Sequence, residues 1–243
     1  MNKKESRGSK FFFVVLMTLL TNNHLLGQFL GIGGGASLSH LSMSDTQEGY
    51  QSIGGLSAQT FYVLDLTESC AFRFELSYQP KGNRYESEST QEHQINNQSV
   101  SLSSLISLKT RLNYIDFKPL FVYRKSINQQ SSIYGCFGPY ISLGVSGHRS
   151  LTQRYTSSPQ GFIPEINSTD REGISFGSSG SGFDYLDFGF SSIVGYTYLS
   201  FYTELSYEFG LNNIDSFNNS DSRIMNRLFS LKVGYLIRFN KDK

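Results

Sequence analysis

The sequence predicts an all-β fold: an eight-stranded antiparallel up-and-down transmembrane β-barrel with short periplasmic turns and long extracellular loops. Three observations predict it. A basic stretch followed by an apolar run opens the chain, eight later segments repeat a two-residue apolar alternation, and the connections between them alternate between short and long.

The N-terminus comes first. "MNKKESRGSK" carries Lys3, Lys4, Arg7 and Lys10 against Glu5, and "FFFVVLMTLL" follows at 11–20. A basic stretch before an apolar run of about 7–15 residues is the layout of a secretory signal peptide. A membrane-spanning helix needs roughly 20 apolar residues, and Thr21, Asn22, Asn23 and His24 interrupt too soon. Residues 1–27 are therefore expected to be a signal peptide cleaved after Gly27, and residues 28–243 to form one barrel domain. Their loss removes four of the 21 basic residues and one of the 20 acids, leaving a net charge of −2. That balance lacks the basic excess of a nucleic-acid binder. No later apolar run is long enough for a helical span, so any further crossing of lipid requires strands in a closed ring.

The eight segments follow in order, each with side chains alternating between two faces. In the first (29–41), Leu30, Ile32, Ala36 and Leu38 share a face opposite Gly31, Gly33, Gly35, Ser37 and Ser39. The second (54–64) groups Leu56, Ala58, Tyr62 and Leu64. The third is "AFRFELSYQ", with Phe72, Phe74, Leu76 and Tyr78 opposite Arg73 and Glu75. The fourth (113–124) sets Ile115, Phe117, Phe121 and Tyr123 against Asp116, Lys118 and Arg124, and its Pro119, lacking an N–H, predicts a bulge. The fifth (132–145) aligns Ile133, Phe137, Ile141, Leu143 and Val145. The sixth (183–194) aligns Leu186, Phe188, Phe190 and Val194 opposite Tyr185, Asp187 and Gly189. The seventh (199–209) sets Phe201, Leu205, Tyr207 and Phe209 against Tyr202, Glu204 and Glu208. The eighth aligns Phe229, Leu231, Val233, Tyr235, Ile237 and Phe239 opposite Ser230, Lys232, Gly234, Leu236 and Arg238.

Alternation alone does not say which face meets water; the connections do. Those after segments two, four and six are tight, at about 65–69, 125–131 and 195–198. The stretches "PKGNRYESESTQEHQINNQSVSLSS", "SGHRSLTQRYTSSPQGFIPEINSTDREGISFGSSGSG" and "GLNNIDSFNNSDSR" are long and polar, and the second leaves open a hairpin within 146–182 that extends the barrel outward or raises the strand number to ten. A membrane barrel sorts its connections in this way, short inside and long outside, whereas a soluble sandwich has no reason to. The aromatic faces are therefore expected to meet lipid. A hydrophobic content of 38% is too low for a helical membrane protein but suits a barrel with a polar interior. With no Trp, the 15 Tyr and 20 Phe must furnish the interfacial girdles.

The last segment, Lys232 to Phe239, resembles the terminal-strand signal read by the outer-membrane assembly machinery: a polar residue, a glycine two positions on, then two apolar residues ending in an aromatic. Six stretches occur in the order "ELSYQPKG", "YIDFKPLFVYR", "GCFGPYISLG", "DFGFSSIVGY", "TELSYEFGLNNI" and "LKVGYLIRF". In that order they resemble the PorT-like outer-membrane β-barrel family. The resemblance implies an outer-membrane barrel; some members of that family are linked to protein secretion and gliding, and most have no assigned activity.

The chemistry-bearing residues are few. "GIGGGA" (31–36) fits G-x-G-x-x-A, but a dinucleotide site needs a strand before those glycines and a helix after them. Inside an alternating segment they instead predict room for bulky neighbours across a narrow barrel, and no cofactor is expected. Arg73, Lys118, Lys232 and Arg238 would share the lumen with Glu75, Asp116, Asp187, Glu204 and Glu208. Four cations against five carboxylates predict mutual pairing, and eight strands enclose just enough space for side chains. The lumen is expected to be closed and salt-bridged.

Two alternative functions come from other classes: a narrow channel, or a lipid-modifying enzyme using His40 and Ser42 at the outer end of the first segment. A Glu204–Glu208 carboxylate pair has no identifiable substrate entrance. His93 and His148 lie in expected loops, and no Cys/His spacing resembles a metal site. Cys70 and Cys136 fall on nonadjacent segments and opposite faces, which predicts two free thiols. The expected function is non-enzymatic: structural support of the membrane, or contact through the outer loops. The expected partners are outer-membrane lipid, the assembly machinery, and an unknown protein or polysaccharide at the loops; no nucleic acid is expected.

Overall fold

The computed structural model of the protein describes residues 28–43, 49–95, 98–158, 166–177, 182–214 and 223–239. The expected signal peptide lies outside them. Nine strands form among the described residues: β1 (Gln28–Met43), β2 (Tyr50–Asp65), β3 (Cys70–Ile95), β4 (Gln98–Ser126), β5 (Ser131–Ser158), β6 (Ile166–Ile174), β7 (Leu186–Tyr198), β8 (Phe201–Gly210) and β9 (Ile224–Arg238). Eight of them close a ring in the order β1-β2-β3-β4-β5-β7-β8-β9, with β9 returning antiparallel to β1. Closure leaves no unpaired edge in the ring, the condition for strands to lie in lipid. The ninth, β6, lies outside the ring and pairs with the outer part of β5.

The inversion is plain in β3. Phe72 is 40% exposed and Leu76 50%, whereas Arg73 and Glu75 are 1% and 0% exposed. The same alternation runs along β7, β8 and β9, with Val194, Phe201 and Val233 outside and Asp187, Glu204 and Lys232 inside. All eight apolar faces expected to meet lipid do point outward. The charged side chains lie inside and the exterior is apolar.

Several local expectations are corrected. The third tight turn is Leu199–Ser200, because β7 stays paired through Tyr198↔Phe201; residues 195–198 are strand. Residues 183–185 precede β7, so Phe183 tucks inward and is buried while Tyr185 is exposed rather than lumenal. Pro119 produces no bulge. The β4–β5 register is the same on both sides of it (Phe117↔Ile141, Phe121↔Phe137), which sets Pro139 opposite Pro119, and the paired ladder lapses there without slipping. The register shift lies instead between Asn113 and Tyr114, where Val145 is the extra residue.

The largest difference concerns the polar stretches from Pro80 and Ser146. Where the structure describes them, they are strand rather than loop as far as Ile174. The β3–β4 ladder continues unbroken from Cys70↔Tyr123 to Ile95↔Gln98, and β5 follows β4 out to Ser101↔Ser158. With β6 added, four strands rise from one side of the ring as a continuous sheet. A tilted strand needs about 9–11 residues to cross a bilayer, and β3 has 26, so more than half of it lies beyond the membrane.

Candidate functional site

The lumen holds the densest concentration of chemistry in the molecule, and β1 makes room for it. Gly31 and Gly33 of β1 face inward where larger residues of other strands cross the axis. A Cβ on Gly31 would strike the Phe61 ring, and a Cβ on Gly33 or Gly234 would strike Tyr202. The "GIGGGA" stretch thus forms the thin wall that lets two aromatic rings fit inside.

Between the walls runs one connected ionic layer. Arg73 forks onto Glu204 and reaches Glu75 Oε2 at 2.5 Å. Lys118 bridges Glu75 Oε1 at 3.0 Å and Glu208 Oε1 at 2.5 Å. Lys232 donates to Gln59 Oε1 at 2.8 Å and lies 3.5 Å from Glu75, while the Gln59 amide donates to Glu204 at 2.7 Å. Toward the outer side, Lys81 bonds Asp187 and Ser142, both at 3.0 Å, and lies 3.4 Å from Glu208. Asn226 and Tyr140 also donate to Asp187. Asp116 lies 3.7 Å from Lys81 and 3.8 Å from Lys118, and all nine charged groups are at most 1% exposed. A buried charge without a partner costs several kcal/mol, so this pairing is what permits the composition of the interior.

The membership differs from expectation at one place. Arg238 is not in this layer; it is exposed at the turn end of the barrel, donating to the Leu199 carbonyl at 3.3 Å. Lys81 takes its place as the fourth cation. Flanked by Pro80 and Gly82 it reads as a turn residue, yet it continues the odd-numbered lumenal row of Arg73, Glu75, Ser77 and Gln79, and that phase was the available signal. Gly82 adopts φ +149°, a conformation open to glycine, and its N–H donates to Ser39 Oγ at 2.9 Å.

Apolar layers bound the ionic one. On the turn side, Phe61, Val63, Leu120, Val122, Ile193 and Tyr202 pack together. On the outer side, Phe183 and Ile214, from the connections before β7 and after β8, pack on Leu41, Leu112 and Tyr114, with Phe176 edge-on to Tyr114. Below the turn-side layer a cavity of about 450 Å³ opens past residues 66–69 and 127–130. Phe29, Val63, Val122 and Leu236 form its walls, and Arg73 and Tyr134 lie at its floor. Arg124 there pairs with Asp65 at 3.0 Å. The lumen is therefore a vestibule under a plug.

The model of the outer membrane protein beta-barrel domain matches residues 23–216. The chain belongs to that family. Family membership and the outward apolar face together place it in the outer membrane. Among solved structures it is similar to Ail, the attachment invasion locus protein of Yersinia pestis (14% identity, 87% of this chain and 100% of that one, TM-score 0.35). It is also similar to neisserial surface protein A (14%, 88% and 100%, 0.34) and to OprG from Pseudomonas aeruginosa (12%, 88% and 97%, 0.38). No curated relative matches the sequence.

The remaining residues singled out in the sequence of this outer-membrane barrel are quickly placed. His40 and Ser42 lie on the outer face of β1, opposite Arg227 and Met225 of β9. Among the described residues neither side chain has a hydrogen-bonded carboxylate. Glu204 and Glu208 are both committed to cations within the plug. Cys70 and Cys136 are free thiols, the second buried in the turn-side layer. The His93 side chain lies outside the described residues, while His148 is in the β5 extension. No metal-ligating cluster occurs among the described residues.

Proposed function

We propose that this outer-membrane barrel is a non-enzymatic membrane anchor that acts through its exterior sheet rather than through its lumen. The observation that carries this reading is the plug: three successive layers of packed side chains cross the barrel, while β3 to β6 extend well past it. Short turns on the vestibule side and the long sheet on the other support a periplasmic vestibule and an extracellular sheet. Within the family, the ordered motifs from "ELSYQPKG" to "LKVGYLIRF" support a PorT-like member, with β9 presenting the strand read by the assembly machinery. Export with cleavage after Gly27 belongs to the same reading, and N-terminal sequencing of the membrane-embedded protein should begin at Gln28.

Planar-bilayer recording tests the central claim. Folded protein, verified by a gel shift between boiled and unboiled samples, should give no discrete conductance steps. Stable steps from the folded species would overturn the anchor reading in favour of a channel.

A further inference from the structure

The outward face of the exterior sheet carries a row of cations directly above the lipid-facing band. Register defines it. Arg84, Lys109, Ser150 and Arg171 stand opposite one another across β3, β4, β5 and β6. One step nearer the membrane the row is Gly82, Arg111, His148 and Gly173. Two steps nearer again come Tyr78, Ile115 and Leu143, the last apolar row facing lipid. Since alternate residues share a face, all five basic side chains project on the same side as the apolar band. At about 3.3 Å per residue and a tilt of about 45°, the two basic rows lie roughly 9–14 Å above Ile115 along the membrane normal.

Charge on this face is weakly balanced. Arg84 pairs with Glu86 at 3.0 Å and Arg111 donates to the Gly54 carbonyl at 2.8 Å. Lys109 and Arg171 have no carboxylate partner among the described residues, and the acids of β6, Asp170 and Glu172, alternate to the opposite face. The nearness of the cations is felt by His148: burial, then Arg171, Arg111 and Lys109, hold its imidazole below the ordinary value. Such crowding of positive charge is unfavourable unless an anion is present.

We propose that Lys109, Arg111, His148 and Arg171 form a binding site for the phosphorylated headgroups of outer-leaflet glycolipid, the lipopolysaccharide beside the barrel. The continuity of the cations with the lipid-facing surface selects a membrane-resident ligand over a soluble one. A lipid whose acyl chains lie along Tyr78, Ile115 and Leu143 presents its phosphates at the height of these rows. Apolar contact below and charge contact above then act on one molecule. This inference rests on the extracellular placement of the sheet, which digestion of intact cells with an external protease checks separately: cleavage within the sheet supports that placement, and protection removes it.

The test uses full-length protein in phosphatidylcholine nanodiscs, titrated with lipopolysaccharide or with its dephosphorylated form. Wild type should bind the phosphorylated form and lose most of that binding on dephosphorylation. The K109A/R171A variant should bind roughly 30-fold more weakly, the loss expected for two cations at an anionic surface, with an unchanged boiling shift. Imidazole resonances should show His148 titrating at higher pH once lipopolysaccharide is present. Equal binding of the dephosphorylated form, an unaffected variant, or displacement of lipopolysaccharide by a soluble sulfated polysaccharide at equal charge would each overturn the proposal.

Discussion

Arg73 is the side chain whose loss the interior can least absorb. It serves Glu204 and Glu75 at once and lies with its guanidinium carbon 3.5 Å from the Phe61 centroid. Arg73→Ala should cost about 3–5 kcal/mol, as removal of one member of a buried ion pair does, read as a lower urea midpoint of the folded band in detergent. Asp116→Asn should be the mildest of the five lumenal carboxylate changes. Its two ion-pair contacts are the longest in the plug, 3.7 and 3.8 Å, and its loss leaves four carboxylates facing four cations. At the turn end, Leu199 holds φ 55° as the first residue of a two-residue hairpin, a position that favours glycine. Leu199→Gly should raise stability by about 0.5 kcal/mol, the relieved strain being partly offset by the entropy of a more flexible unfolded chain.

The element that most changes the description is the exterior sheet. The outer ends of β3 and β4 pair only with each other and, at Ser101–Ser104, with the outer end of β5, so replacing residues 89–104 with a two-residue turn should leave the boiling shift intact; loss of the folded band would make the sheet part of the barrel's own stability. Neutral His148 is the form this sheet favours. With its folded value below the ordinary 6.5, its contribution is complete above about pH 6.5 and is lost as pH falls toward the lowered value. Hydrogen exchange of 146–158, corrected for intrinsic rate, should therefore speed up below about pH 6.5. The barrel strands were legible because Arg73, Glu75, Phe72 and Phe74 alternate in both size and charge. The sheet was not, because residues such as Ser89, Thr90, Gln91 and Glu92 are polar on both faces; strands wet on both sides carry no period. Lys81 was hidden between a proline and a glycine that suggest a turn. Tyr202 was legible as inward because it alternates with Phe201; that it lies over the thin wall of Gly33 and Gly234 was not, because those glycines come from other strands.

At the scale of the whole molecule, the plug draws polar partners from seven of the eight ring strands, and only the glycine-rich β1 gives it none. Gln59 comes from β2 and Lys232 from β9, so the contact between them spans the seam where the first strand meets the last. No run of neighbouring strands can satisfy its own charges. A barrel missing β9 would leave Asp187 without Asn226 and Glu75 without Lys232, and such a cavity would have to stay hydrated until the ring shut. Assembly should therefore be all-or-none, with only two bands on a gel through a urea gradient. The strand that closes the ring, β9, also brings groups that expel water from the interior, so a chain truncated before it is penalised twice, by an open edge and by a wet core. That coupling would make completeness self-checking: a copy without β9 should stay open, wet and accessible to proteases.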